Sequence, residues 1–295
     1  MDNPVFYIVD VFAEDKYTGN QLAVFRNTEH LSEEEMLKIA QEMHFSETTF
    51  ILSEEPHNGG FDVRIFTPAR EVPFAGHPTL GTAYIIQSRI IKKPIDEVIL
   101  NLQIGQIPVT FSYSGGEANL LRMKQKAPVF GHILDKEIIA DALNLKKKDL
   151  DDRFPVEEVS TGLSFIIVPL KTLTGVKWAR INRDKFYKII DKLESKAVLI
   201  FSPETYSPEN NLNARVFADY YNVPEDPATG SANGCLAGYL VKNRYFGKDS
   251  VDINVEQGYE IERPSLLRLQ AEKTPDGIDV FVGGRVVPIA QGNWL

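Results

Sequence analysis

The order of apolar and polar residues predicts short strands and a few well-separated helices. Segments rich in β-branched and aromatic residues predict strands at 5–12, 48–52, 61–66 and 109–111. Ser32, with Glu35 three residues later, forms a capping-box pattern, and apolar residues at helical spacing follow it. Four further helices are predicted at about 79–91, 135–145, 184–193 and 230–243.

The second half of the chain repeats a pattern of the first half. Residues 64–73 and 215–224 share Arg, an aliphatic residue, Phe, Val and Pro at an offset of 151. Just beyond, 77–83 and 226–232 share His or Asp, then Pro, two variable residues, Gly, Thr or Ser, and Ala. Weaker echoes pair 46–52 with 161–167, and 103–107 with 257–261. An ordered set of this kind indicates an internal repeat.

The repeat predicts two domains of one topology, 1–117 and 118–285, joined near the Ser- and Gly-rich stretch 112–118. Two copies related by a pseudo-twofold axis would bring equivalent loops face to face across a cleft, where ligands prefer to bind. The loops expected there are the two Pro-Gly turns. Their helix starts suit a carboxylate or phosphate, although the glycines would equally allow tight packing of strand against helix. Because the turn occurs twice, we favour ligand binding over a purely structural role for these glycines.

The two turns differ in one polar residue, which is His77 in the first and Asp226 in the second. A symmetric scaffold with asymmetric polar groups suits proton transfer, because donor and acceptor must be distinguished. His77 would also fit a structural role, and Asp226 a helix N-cap before Pro227. Glu47 lies between a predicted helix and a strand, beside Phe45 and Phe50, where partial desolvation would favour proton exchange near neutral pH. A glutamate in a loop would also fit a purely solvated role.

Composition narrows the class of protein. The 295 residues are 43% hydrophobic and 25% charged, as in ordinary globular domains. A formal net charge of −9 argues against general nucleic-acid binding. The single cysteine, Cys235, excludes an intrachain disulfide and argues against a cysteine-based metal site. No signal peptide or membrane span is visible, so a cytoplasmic protein without membrane contact is expected.

Several of these motifs resemble those of the PhzF family of phenazine-biosynthesis-like isomerases, which share the diaminopimelate epimerase fold. The similar segments cover nearly the whole chain; they are 9–12, 19–24, 45–50, 64–68, 71–81, 225–234 and 282–284. The epimerase relatives use one cysteine from each turn, and this chain has none in either. Cys235 is expected to pack in the core.

The resemblance implies an α+β fold of two pseudo-symmetric domains, each a curved, mostly antiparallel sheet around a central helix. The last segment, about 286–295, would return to the first domain. Glu47 is implied as the general acid/base, with His77 and Asp226 as further catalytic residues. Substrate-binding residues are then expected at Gly76, Pro78, Gly230 and Ser231. The resemblance further implies a small anionic substrate such as a dihydro-hydroxyanthranilate, a homodimer, and neither metal nor organic cofactor.

Two alternatives remain open from the sequence. One is a small-molecule binding protein that has kept the cleft without catalysis. The other is an epimerase or racemase of amino or hydroxy acids that uses Glu47 with a different partner. Fold alone does not decide among them, because one fold can serve several functions.

Overall fold

The computed structural model describes residues 3–295. The chain divides into two compact units: the first runs to Lys124 and includes Gly283–Leu295, and the second is Gln125–Val282. Met1 and Asp2, which belong to the segment judged for a signal peptide, lie outside the described residues.

The helices are few and short. They are α1 (Glu33–Met43), α2 (Gly76–Ile85), α3 (Lys136–Ala142), α4 (Leu173–Trp178), α5 (Arg183–Ile190) and α6 (Gly230–Lys242). The strands are β1 (Val5–Val11), β2 (Asn20–Arg26), β3 (Thr48–Ile51), β4 (Phe61–Phe66), β5 (Glu71–Val72), β6 (Glu97–Leu102), β7 (Gly105–Ser114), β8 (Glu117–Lys124), β9 (Val129–Leu134), β10 (Val156–Ser160), β11 (Ser164–Pro169), β12 (Ala197–Ser202), β13 (Leu212–Ala218), β14 (Val223–Asp226), β15 (Ser250–Gln257), β16 (Ser265–Thr274), β17 (Gly277–Gly284) and β18 (Val286–Asn293).

The first unit is a mostly antiparallel sheet curved around α2. Its strands pair in the order β18, β1, β2, β3, β4, β6, β7, β8, and short β5 adds to β4. Only β2–β3 and β4–β6 are parallel among these pairs. Helix α2 packs against strands from across the sheet, and most of its residues are buried. On the other face, α1 covers an apolar cluster that includes Phe25, Phe50 and Phe66.

The second unit repeats this connectivity around α6. Its pairs run β9, β10, β11, β12, β13, β15, β16, with β14 added to β13. The parallel pairs are β11–β12 and β13–β15, which occupy the same places in the order as β2–β3 and β4–β6. Helix α6 packs on β10, β11, β15 and β16, and it is nearly all buried. The expected α+β fold with a central helix is therefore confirmed.

The stretch expected to join the domains has a different role. Ser114 and Glu117 pair across a tight hairpin turn between β7 and β8, with Gly115 and Gly116 at positive φ. The glycines therefore mark a hairpin rather than a linker. The change of unit falls at Lys124, where β8 ends, instead of at residue 117.

Most predicted helices are present with shifted ends. Ser32 makes the predicted capping box with Glu35. Helix α2 begins at Gly76 rather than Thr79, because Pro78 stands in its first turn, where no backbone N–H is required. Beyond Ile85 the predicted helix continues as a π-helical turn, Ile86–Ile91. The short α4 was missed, because six residues show no periodicity.

One of the weaker sequence echoes matched the wrong strands. The segment 46–52 contains β3, and 161–167 contains β11. By connectivity the counterpart of β3 is β12, since each is parallel to the preceding strand and antiparallel to the next. Short apolar strands have similar sequences, so the order of strand pairing identifies equivalent strands more reliably than the sequence does.

Within residues 3–295, no helix is long and apolar enough to cross a membrane.

Candidate active site

Glu47 lies at the start of β3, where the chain leaves α1. Helix α1 is capped at its carboxyl end by His44 in the left-handed conformation, and the fully buried β3 begins four residues after His44. The hydroxyls of Thr49 and Thr82 lie 2.8 Å apart and join β3 to α2. Because both neighbouring elements are packed in the core, the Glu47 side chain is held in place and is only 20% exposed.

His77 is the second residue of α2, and its Nε2 lies 3.5 Å from Oε2 of Glu47. Burial lowers the pKa of His77 to about 3, and a hydrogen bond to the backbone of Gln21 opposes this only in part. The imidazole is therefore neutral near pH 7. Among the described residues Nε2 has no hydrogen-bond partner, so Nδ1 donates to Gln21 and Nε2 presents a lone pair towards Glu47.

The amino end of α2 lies beside this pair. Its N-cap residue, Ala75, provides no side-chain cap, and its carbonyl accepts a hydrogen bond from the Thr79 hydroxyl at 2.7 Å. Pro78 has no N–H, so the backbone donors of the first turn are those of Gly76 and His77. An uncapped helix start of this kind favours an anionic group.

Asp226 ends β14 in the second unit, and it is not the predicted helix N-cap. Helix α6 begins four residues later, with Thr229 as its N-cap residue. The Asp226 carboxylate instead accepts a hydrogen bond from the Thr229 hydroxyl. The Gln257 amide donates to the Asp226 carbonyl at 2.7 Å and accepts from the Thr229 N–H at 3.3 Å. These bonds stabilise an extended turn at 226–229, whereas the equivalent residues of the first unit, 77–80, belong to helix α2.

Gly230 and Ser231 are the first two residues of α6, which also lacks a side-chain cap. Gly230 is buried and Ser231 is half-buried. The predicted residues therefore form two groups. Glu47, Gly76, His77 and Pro78 belong to the first unit, whereas Asp226, Gly230 and Ser231 belong to the second.

Each turn is also held by an arginine–glutamate pair that the sequence analysis did not identify. Arg64 bonds both oxygens of Glu71, at 2.8 and 2.6 Å. Arg215 bonds both oxygens of Glu225, at 2.8 and 2.7 Å. Such two-point bonds fix orientation strongly. The signal was present, because the repeated arginine at offset 151 is followed in each half by a glutamate at the turn.

Cys235 is a residue of α6 and packs in the core with no exposed surface, as predicted. Burial raises the pKa of its thiol to about 12, so it is not a proton donor or acceptor near neutral pH. Within residues 3–295, no three His, Cys, Asp or Glu side chains cluster so as to hold a metal ion.

Known proteins resemble the chain over its full length. The sequence profile of the phenazine biosynthesis-like protein family matches residues 9–292. A trans-2,3-dihydro-3-hydroxyanthranilate isomerase of Pseudomonas aeruginosa is 32% identical and covers 98% of both chains. The crystal structure of a PhzF-family phenazine biosynthesis protein of Bacillus anthracis has a TM-score of 0.91 at 27% identity, over 100% of both chains.

A hydroxyproline epimerase of Agrobacterium vitis shares the fold alone. Its TM-score is 0.62 at 10% identity, and the match covers 100% of this chain and 91% of that one. Together with the strand order, these similarities confirm the epimerase-like fold that the sequence motifs implied.

Proposed function

Because the chain belongs to the phenazine biosynthesis-like protein family and is an isomerase, we propose that it moves a proton on a small carboxylate substrate with Glu47 as general acid/base. The observation that carries the proposal is the contact of 3.5 Å between Glu47 Oε2 and Nε2 of His77. A partly buried carboxyl beside a neutral imidazole and a helix start is suited to taking and returning a proton.

In the proposed step, the Glu47 carboxylate removes a proton from one carbon of the substrate. The electron pair of that C–H bond forms a new double bond, and the electron pair of the old double bond takes up a proton at a second carbon. The same carboxyl group returns that proton, so atoms and charges balance. The proton moves only between carbon and carboxyl, so the reaction requires no redox step and no cofactor.

His77 positions the Glu47 carboxyl in this proposal. Its lone pair can accept the proton of Glu47 between removal and return, which holds the protonated carboxyl in one orientation. The N–H groups of Gly76 and His77 at the start of α2 are proposed to bind the substrate carboxylate. The relative from Pseudomonas aeruginosa acts on trans-2,3-dihydro-3-hydroxyanthranilate, which makes this cyclic acid the first candidate substrate.

The test follows carbon-bound hydrogen by NMR in D2O, with trans-2,3-dihydro-3-hydroxyanthranilate and a panel of other unsaturated cyclic carboxylates. Glu47→Gln keeps the side-chain shape and removes the acid, so turnover should fall by about 10²–10⁴-fold. Glu42→Gln, an exposed change on α1, is the matched control and should turn over normally. Full activity of Glu47→Gln would refute the assignment.

The catalytic role of Asp226 stays a prediction. Asp226→Asn should lower turnover on the same substrate, and a thermal melt equal to that of the wild type would separate this loss from unfolding. The homodimer implied by the sequence resemblance also stays a prediction, and sedimentation velocity tests it.

A further inference from the structure

The loop between β1 and β2 lies at the same end of the first unit as Glu47. Strands β2 and β3 are parallel, with Ala23 opposite Thr48, so both begin at this end. The loop joins Val11 to Asn20, which pair with each other at the end of the β1–β2 ladder. His77 bonds the backbone of Gln21, one residue further on. The loop therefore adjoins the proposed catalytic pair.

The backbone of this loop includes an energetically unfavourable conformation at Tyr17. Tyr17 has φ +69°, a left-handed value that non-glycine residues rarely adopt. Its N–H donates to the carboxylate of Asp10 at 2.8 Å, and Asp10 is 2% exposed. Gly19 has φ +68°, and a Cβ there would lie 2.4 Å from the Val11 carbonyl oxygen. The strain at Tyr17 persists only if the surrounding structure imposes it.

The side chain of Tyr17 does not contribute to the hydrophobic core. Tyr17 is 70% exposed, so burial of its side chain does not account for the strained backbone. The exposed ring belongs to the loop that adjoins the proposed catalytic pair, so its apolar face is open to a ligand.

The second unit provides an internal comparison. There the loop between β10 and β11 has only three residues, 161–163, whereas the loop from β1 to β2 spans 12–19. The residue before β12, which corresponds to Glu47 before β3, is Lys196. The long loop thus occurs in the unit that carries the glutamate and not in its counterpart.

We propose that Tyr17 is a specificity-determining residue that stacks on the ring of a cyclic carboxylate held at Glu47 and His77. This rests on the proposed function and adds to it a residue that selects among substrates. Stacking on one face of a planar ring favours cyclic acids, and it leaves the other face free for Glu47.

Binding of 3-hydroxyanthranilate, a planar ring acid that serves as the probe, is measured by titration calorimetry. Tyr17→Gly removes the ring, suits the positive φ and keeps the N–H that bonds Asp10. It should weaken binding by about tenfold while the melting temperature is unchanged or higher. Tyr17→Phe should bind like the wild type. His57→Ala removes an exposed ring beyond the opposite end of β3 and should also bind normally.

Wild-type affinity in Tyr17→Gly would overturn the proposal. Binding by Tyr17→Phe as weak as that of Tyr17→Gly would assign the effect to the hydroxyl and overturn stacking. A wild-type protein that does not bind the probe would overturn the cyclic substrate class. Failure of the proposed function is seen separately, because it appears as normal turnover in Glu47→Gln whatever Tyr17 does.

Discussion

Acidification should destabilise the first unit through His77, and replacing this residue should remove the effect. The pKa of the buried imidazole is lowered to about 3 from 6.5. The unfolded chain therefore binds a proton between these pH values and the folded chain does not. Stability must fall as the pH drops below about 6.5, because protonation favours the unfolded state.

The size of the effect follows from the lowered pKa. At pH 5 the unfolded imidazole is protonated 1.5 pH units below its pKa, and each unit corresponds to about 1.4 kcal/mol, so the loss is about 2 kcal/mol. The difference stops growing near pH 3, where the folded imidazole also binds a proton. His77→Gln has no titrating ring, so its free energy of unfolding should depend less on pH by this amount.

Urea unfolding at pH 5.0 and 7.5 measures the difference. The chain has two tryptophans, and Trp294 packs 5.3 Å from the ring of Phe25 in the first unit. In a Trp178→Phe background, Trp294 fluorescence reports unfolding of that unit alone. His30→Gln, which replaces an exposed histidine, is the control and should keep the wild-type dependence. Equal dependence in wild type and His77→Gln would refute a neutral His77 beside Glu47.

Three further results are expected. Glu47→Asp keeps the acid but withdraws it by one methylene, about 1 Å, so kcat should fall by about 10²-fold while thermal stability is unchanged. Arg215→Met leaves the Glu225 carboxylate and three backbone carbonyls without their buried donor, and urea unfolding should show a loss of about 3–5 kcal/mol. Cys235, whose pKa is raised to about 12 by burial, should resist iodoacetamide at pH 8 until urea unfolds the chain. Rapid labelling of the folded protein would contradict its burial.

Local signals in the sequence predicted local features well. The Ser32–Glu35 capping box and the start of α6 at Gly230 were found because each depends on residues a few positions apart. The repeated turns were found because two copies of one signal are more specific than either alone. The hairpin at Gly115 was mistaken for a linker, since glycine pairs are common in both.

Contacts between distant segments could not be predicted. The neutrality of His77 depends on its burial inside the sheet and on the backbone of Gln21, 56 positions earlier. The hydrogen bond that the Tyr17 N–H donates to Asp10 depends on a left-handed backbone that no periodicity reveals. Asp226 was expected to be the N-cap of a helix, but the helix starts later in the chain and Thr229 is its N-cap residue.

The two units retain a common scaffold but differ in their polar groups. Both keep the strand order, the central helix and the arginine–glutamate pair. At the position of Glu47, however, the second unit has Lys196, whose ammonium donates to the carbonyls of Ile190, the last residue of α5, and of Leu193, at 2.5 and 2.8 Å. The repeat therefore supplies no second carboxyl equivalent to Glu47.

This asymmetry bears on the stereochemistry of the proposed reaction. Epimerisation at one carbon by two opposed groups removes the proton on one face and returns it on the other. A single carboxyl group that both takes and returns the proton reaches its two carbons from one face of the substrate. In the second unit the equivalent position carries Lys196 and Cys235 is buried, so the proposed reaction assigns both proton transfers to Glu47, along one face of the substrate. A ring stacked on Tyr17 would present such a face to Glu47.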